Sequence, residues 1–116
     1  MSTHRILSLD SKERLLAGFI LNKLWIYRYW CGEGRRQHLG HTPLQNLHKG
    51  LPRSEAGGVQ AVAKKLRRWG FINIFSATGD KHVCACRATE IIREGLVLVN
   101  EYRSSVGLTP LLETEI

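Results

Sequence analysis

The stretch Thr42–Arg87, TPLQNLHKGLPRSEAGGVQAVAKKLRRWGFINIFSATGDKHVCACR, decides the fold. Thr42-Pro43 sets a capping hydroxyl before a proline at the first helical position, and predicts a short helix over 43–49. Leu51-Pro52 follows Gly50 as a turn. Ser54 is a natural cap for the next helix, Glu55 sits in its first turn, and Gly70 stands where a helix stops, so a second helix is expected over 54–69. Phe71–Phe75 and His82–Cys86 are β-prone, with the turn chemistry of Ser76–Lys81 between them. They predict a two-stranded hairpin over 71–86.

At 100° per residue, the 54–69 helix divides cleanly. Val59, Val62, Ala63, Leu66 and Trp69 share one side. Gly57, Ala61, Lys64 and Arg68 lie opposite, with Arg53 and Gln60 along one edge. A groove-reading helix needs this division. Small residues near its start let the backbone approach base edges, Gln60 suits an adenine edge and Arg53 a guanine edge. The base-reading candidates are therefore Arg53, Ser54, Gln60, Ala61 and Lys64. Lys49, Lys65, Arg67, Arg68 and, at the hairpin tip, Lys81 suit phosphates, which set affinity without reading sequence. Thr78 and His82 accompany Lys81 near the tip.

Outward from this unit, Asp10 or Ser11 caps a first helix expected over about 11–31. Its main apolar stripe is Leu15, Phe19, Ile26 and Trp30. Gly18, Leu21, Trp25 and Tyr29 form a second stripe on the far side, so the helix is buried twice. The second partner is either the C-terminal helix or another copy of the chain. A homodimer through Leu21, Trp25 and Tyr29 is the expectation carried forward. Thr89 caps a last helix over 89–103, and residues 104–116 read as a mobile tail. The expected fold class is α+β, mainly helical. It is a winged helix-turn-helix over 1–103, with the long N-terminal and C-terminal helices flanking a two-stranded wing.

Five quoted segments carry a family resemblance. His48-Lys49-Gly50-Leu51-Pro52 is followed by Gly57-Gly58-Val59 with Val62-Ala63-Lys64-Lys65-Leu66, then by Gly70-Phe71-Ile72 and Thr78-Gly79-Asp80-Lys81-His82-Val83. Over residues 40–90 the chain resembles small archaeal winged-helix DNA-binding proteins, mostly uncharacterised regulators. It departs from them at Cys84-Ala85-Cys86-Arg87. The resemblance implies a DNA-binding domain and no catalytic residues.

The bulk composition agrees. A length of 116 residues points to one domain, and 43% hydrophobic residues suffice for a core. A net charge of +7 favours an anionic partner, nucleic acid before an anionic membrane surface. The apolar stretch 15–30 is interrupted by Asn22, Lys23 and Arg28, too short and polar for a membrane span. Three cysteines argue against a disulfide scaffold and for a reducing compartment, the cytoplasm.

His82, Cys84 and Cys86 alternate and would face one way on a strand. As a ladder they could ligate a thiophilic metal, with Cys31, His38 or His41 completing the set. Alternate residues stand about 6.5–7 Å apart, wide for one ion, which favours plain packing. No cofactor and no resident metal are expected. No carboxylate pair, nucleophile–base arrangement or Walker pattern is present, so the sequence points away from an enzyme. It points to a regulator that binds double-stranded DNA. An RNA- or ribosome-associated winged helix and a protein-interaction module are the alternatives.

Overall fold

The computed structural model describes residues 7–32, 40–77 and 79–116. In chain order these form α1 (Ser11–Ile26), β1 (Thr42–Pro43), a 3-10 turn (Leu44–Asn46), α2 (Arg53–Ala56) and α3 (Val59–Arg68). There follow β2 (Ile72–Ala77), β3 (Asp80–Ala85), α4 (Thr89–Ser105) and a closing 3-10 turn (Glu113–Glu115). The fold is α+β and mainly helical, as expected.

The hairpin is larger than the two strands foreseen. It belongs to a three-stranded antiparallel sheet in the order β1-β3-β2. Within it Thr42 stands opposite Val83, and Pro43 opposite His82. Pro43 does not open a helix; its backbone is extended, with ψ 136°. A proline is tolerated there because an edge strand does not need its missing N–H. The helix expected over 43–49 is consequently reduced to the 3-10 turn at Leu44–Asn46.

A full capping box opens α1: the Asp10 carboxylate accepts from the Glu13 amide, and Glu13 reaches back to the Asp10 amide. The helix ends at Ile26, five residues before the expected end. The chain then leaves the helix through Arg28 at φ 61°. Tyr29 and Trp30 continue the β1 edge of the sheet, where Trp30 forms a parallel bridge with Ala85. The Ala85 amide donates to Tyr29 O at 2.7 Å, and the Cys31 amide donates to Ala85 O at 2.8 Å. These bonds satisfy a strand that would otherwise have a bare edge. Ile26, Tyr27, Tyr29 and Trp30, β-branched or aromatic, have little helical preference with which to oppose them.

The second apolar stripe is consumed inside the molecule. Leu21 is 0% and Trp25 2% exposed, and the helix that covers them is α4. Two glycines allow the approach. A Cβ at Gly18 would stand 2.2 Å from Leu98 O, and one at Gly95 would stand 2.9 Å from the Trp25 ring. Tyr29 lies beyond the helix end, packed against the core. The observation that motivated a homodimer through Leu21, Trp25 and Tyr29 therefore falls, because α4 occupies that face.

Two of the polar interruptions in α1 are also in use. Asn22, nearly buried, accepts from Arg103 Nη1 at 3.0 Å. Lys23 donates to the carbonyls of Asn46, Leu47 and Lys49.

Residues 104–116 were expected to be mobile. Instead α4 continues to Ser105 and the chain folds back. Asn100 and Leu111 exchange two hydrogen bonds, at 2.8 and 3.1 Å. Arg103 Nε donates to Thr109 O, and Arg87 Nη2 donates to Ile116 O at 2.8 Å. Leu111 and Ile116 pack on the core. The apolar residues of the segment, unread in a stretch with Gly107 and Pro110, supply the hold. No helix among the described residues is long and apolar enough to cross a membrane.

Candidate nucleic-acid interface

The helix expected over 54–69 forms in two pieces. Its hydrogen-bond ladder is interrupted at Gly57-Gly58, although both glycines keep nearly helical torsions. Each glycine in a helix interior costs about 1 kcal/mol relative to alanine, and two in succession open the ladder. Gly58 also packs closely on α1, since a Cβ there would meet Leu16 at 2.8 Å. Gly57 has nothing within 4 Å of that position and is open.

α3 divides as its sequence predicts. Val59, Val62, Ala63 and Leu66 are buried against the core. Gln60, Ala61, Lys64, Arg67 and Arg68 are exposed on the other side. No acidic residue lies in α3. Arg53 and Ser54 are exposed on α2, a separate four-residue turn of helix. Lys49 is exposed in the preceding turn and Lys81 beside the hairpin tip. Among the described residues, Lys49, Arg53, Lys64, Arg67, Arg68 and Lys81 make no ion pair.

Lys65 differs from the rest of the phosphate set. It is paired with Glu13 of α1, which ties the front of α1 to the middle of α3. The Lys65 ammonium, and then the Asp10 amide, hold the Glu13 carboxyl below its ordinary value of 4.5. Lys65 is an internal tie, and its charge is already matched.

Lys23 is the residue beside this face whose structural part pattern reading passed over. Its ammonium spans three carbonyls of the turn leading into α2 and lies 4.9 Å from the Phe19 ring centre. Burial, and then the nearby Lys49 charge, push its pKa down. Only its position on a mostly buried helix could have signalled this, since a buried ammonium must find acceptors.

The ladder His82, Cys84 and Cys86 separates into two groups. His82 turns to His41, with Nδ1 to Nδ1 2.9 Å, and both rings pack with Phe75. The Cys86 and Cys31 sulfurs are 4.0 Å apart. Cys84 is buried and also within hydrogen-bonding reach of Cys31. No group of three or more His, Cys, Asp or Glu among the described residues is arranged to hold a metal ion. Thr78 and His38 lie outside the described residues.

Comparison with protein-family models, with curated proteins and with solved structures finds no match for this chain. The functional reading therefore stands on the geometry of the α2–α3 face.

Proposed function

We propose that the protein is a winged-helix, sequence-selective binder of double-stranded DNA that acts as a transcription regulator. The observation that carries this reading is the cationic face of α3. Lys64, Arg67 and Arg68 are exposed, without ion pairs among the described residues, on a helix whose opposite side is buried. A helix held by one face and basic on the other fits a major groove, with its exposed side toward bases and phosphates. Gln60, Ala61 and Lys64 face the base edges, with Arg53 and Ser54 at the near end. Lys49, Arg67, Arg68 and Lys81 neutralise phosphates, with Lys81 presented by the hairpin as the wing. The pairing of β1 with β3 supports this arrangement by fixing the middle of the hairpin's second strand, at His82 and Val83, beside the turn.

The test is a fluorescence-anisotropy salt titration against duplex DNA and a structured RNA. Duplex binding should weaken steeply as salt rises. Lys64→Glu and Arg68→Glu should each lower affinity about tenfold or more while circular dichroism stays native, and Arg68→Ala should flatten the slope of log K against log salt by about 0.9. Unchanged affinity in both reversals would overturn the face assignment. Preference for the RNA at equal salt would redirect the same face to an RNA ligand.

A further inference from the structure

The thiols on the sheet do not belong to the proposed nucleic-acid face, and two of them, Cys31 and Cys86, form a partly exposed pair beside the buried Cys84. Trp30 bridges Ala85 in parallel, so the next residues along each segment, Cys31 and Cys86, are register neighbours. Neighbouring strands run about 4.8 Å apart, inside the Cα window of about 4.4–6.8 Å that a disulfide accepts. Register neighbours present their side chains to the same face, and the sulfurs here are 4.0 Å apart. Both residues are only partly buried, which leaves a path for a small reagent. Both backbones are pinned: the Cys31 amide to Ala85 O at 2.8 Å, and the Cys86 amide to Phe71 O at 3.0 Å. On the neighbouring register step, Arg87 lies over Trp30 at 4.8 Å, so the two segments are clasped side by side.

We propose that Cys31 and Cys86 are a modification site, closing to an intramolecular disulfide by exchange with a small disulfide of the glutathione class. In the first step a protein thiolate attacks one sulfur of oxidised glutathione, forming a mixed disulfide and expelling one glutathione thiolate. In the second, the neighbouring thiolate attacks the protein sulfur of that mixed disulfide and expels the other glutathione. The two cysteine sulfurs are oxidised and the small disulfide is reduced. The two protein protons end on the two glutathiones. The bond ties residues 55 positions apart, joining the segment after α1 to the exit of β3.

The local chemistry sets the rate. The Cys31 thiol is pushed up to about 12, first by its hydrogen bond with Cys84 and with burial contributing, against a lowering by Cys86. The Cys86 thiol is raised by its hydrogen bond with Cys31 and by burial. The attacking species is the thiolate, so closure is slow at neutral pH and gains about tenfold per pH unit until that range is reached. Cys84, fully buried, serves as an internal reference.

The experiment incubates the full chain with oxidised glutathione at pH 7, 8 and 9, quenches with acid, and maps peptides without reduction. The expected product is two hydrogens lighter and carries a Cys31–Cys86 cross-link, with Cys84 still free to alkylate after unfolding. Closure should be about ten times faster at each higher pH. Cys86→Ser should stop at the glutathione adduct of Cys31. Phenylarsine oxide, which bridges two adjacent thiols with loss of water, should block the reaction in the native chain. Accumulation of glutathione adducts without closure in the unsubstituted chain, a dominant Cys31–Cys84 link, or no reaction at pH 9 would each overturn the proposal.

Discussion

Single side chains in this protein are assigned by what else they touch. Lys65 and Lys64 are adjacent in the sequence and equal in type. One meets Glu13 across the interface with α1; the other faces outward without an ion pair among the described residues. Because the folded Glu13 carboxyl is lowered, its contribution to stability is complete above about pH 4.5. That contribution is lost as pH falls through the lower folded value. The thermal midpoint of the unsubstituted protein should therefore drop more steeply between about pH 5 and pH 3 than that of Glu13→Gln. Coinciding slopes would show that the tie between α1 and α3 does not couple to folding.

Among elements, the contact of α1 with α4 is set by the two glycines at their crossing. Gly95→Ala pushes a methyl into the Trp25 ring, and Gly18→Ala pushes one into a backbone carbonyl of α4. Overpacking of this kind costs about 1–3 kcal/mol, more than the helical preference an alanine restores. Gly18→Ala should be the worse of the two, because a carbonyl cannot rotate away as a ring can. Urea titrations of both variants give the comparison, and an unshifted midpoint for Gly18→Ala would contradict the close approach. Periodicity made much of this level legible. The amphipathic split of α3, the hairpin strands and the position of α4 all follow from local pattern. The end of α1 did not, because the edge of β3 draws Tyr29–Cys31 out of a helix, and that edge is formed by residues more than 50 positions away. Likewise the role of Thr42-Pro43 is fixed by Val83 and His82. The candidate face was legible wherever it depends on helical phase, as for Lys64 and Arg68. It was illegible wherever it depends on a partner from another element, as for Lys65 and Lys23.

At the scale of the whole molecule, the chain closes on itself. The segment after α4 returns through Asn100 and Leu111 and ends beside Arg87, which also covers Trp30. The covering of Leu21 and Trp25 by α4 completes one core without calling on a second chain. Removing residues 108–116 should expose the apolar surface under Leu111 and Ile116 and lower stability by about 1–3 kcal/mol. Equilibrium unfolding in urea measures this. A truncated chain of unchanged midpoint would return the segment to the mobile tail that its glycine and proline suggest.

The interruption at Gly57-Gly58 gives the two halves of the proposed reading surface different thermodynamic standing. Lys64 and Arg68 stand on a helix whose backbone is already immobilised by a buried flank. Arg53 and Ser54 stand on four residues of which none is buried. Where that short piece keeps backbone freedom, a partner must remove it, at about 1–2 kcal/mol for each residue fixed. Contacts made there carry an ordering cost that contacts on α3 have met during folding. Discrimination contributed by Arg53 is therefore entropically diluted, and recognition should be sharpest under the packed end of the unit.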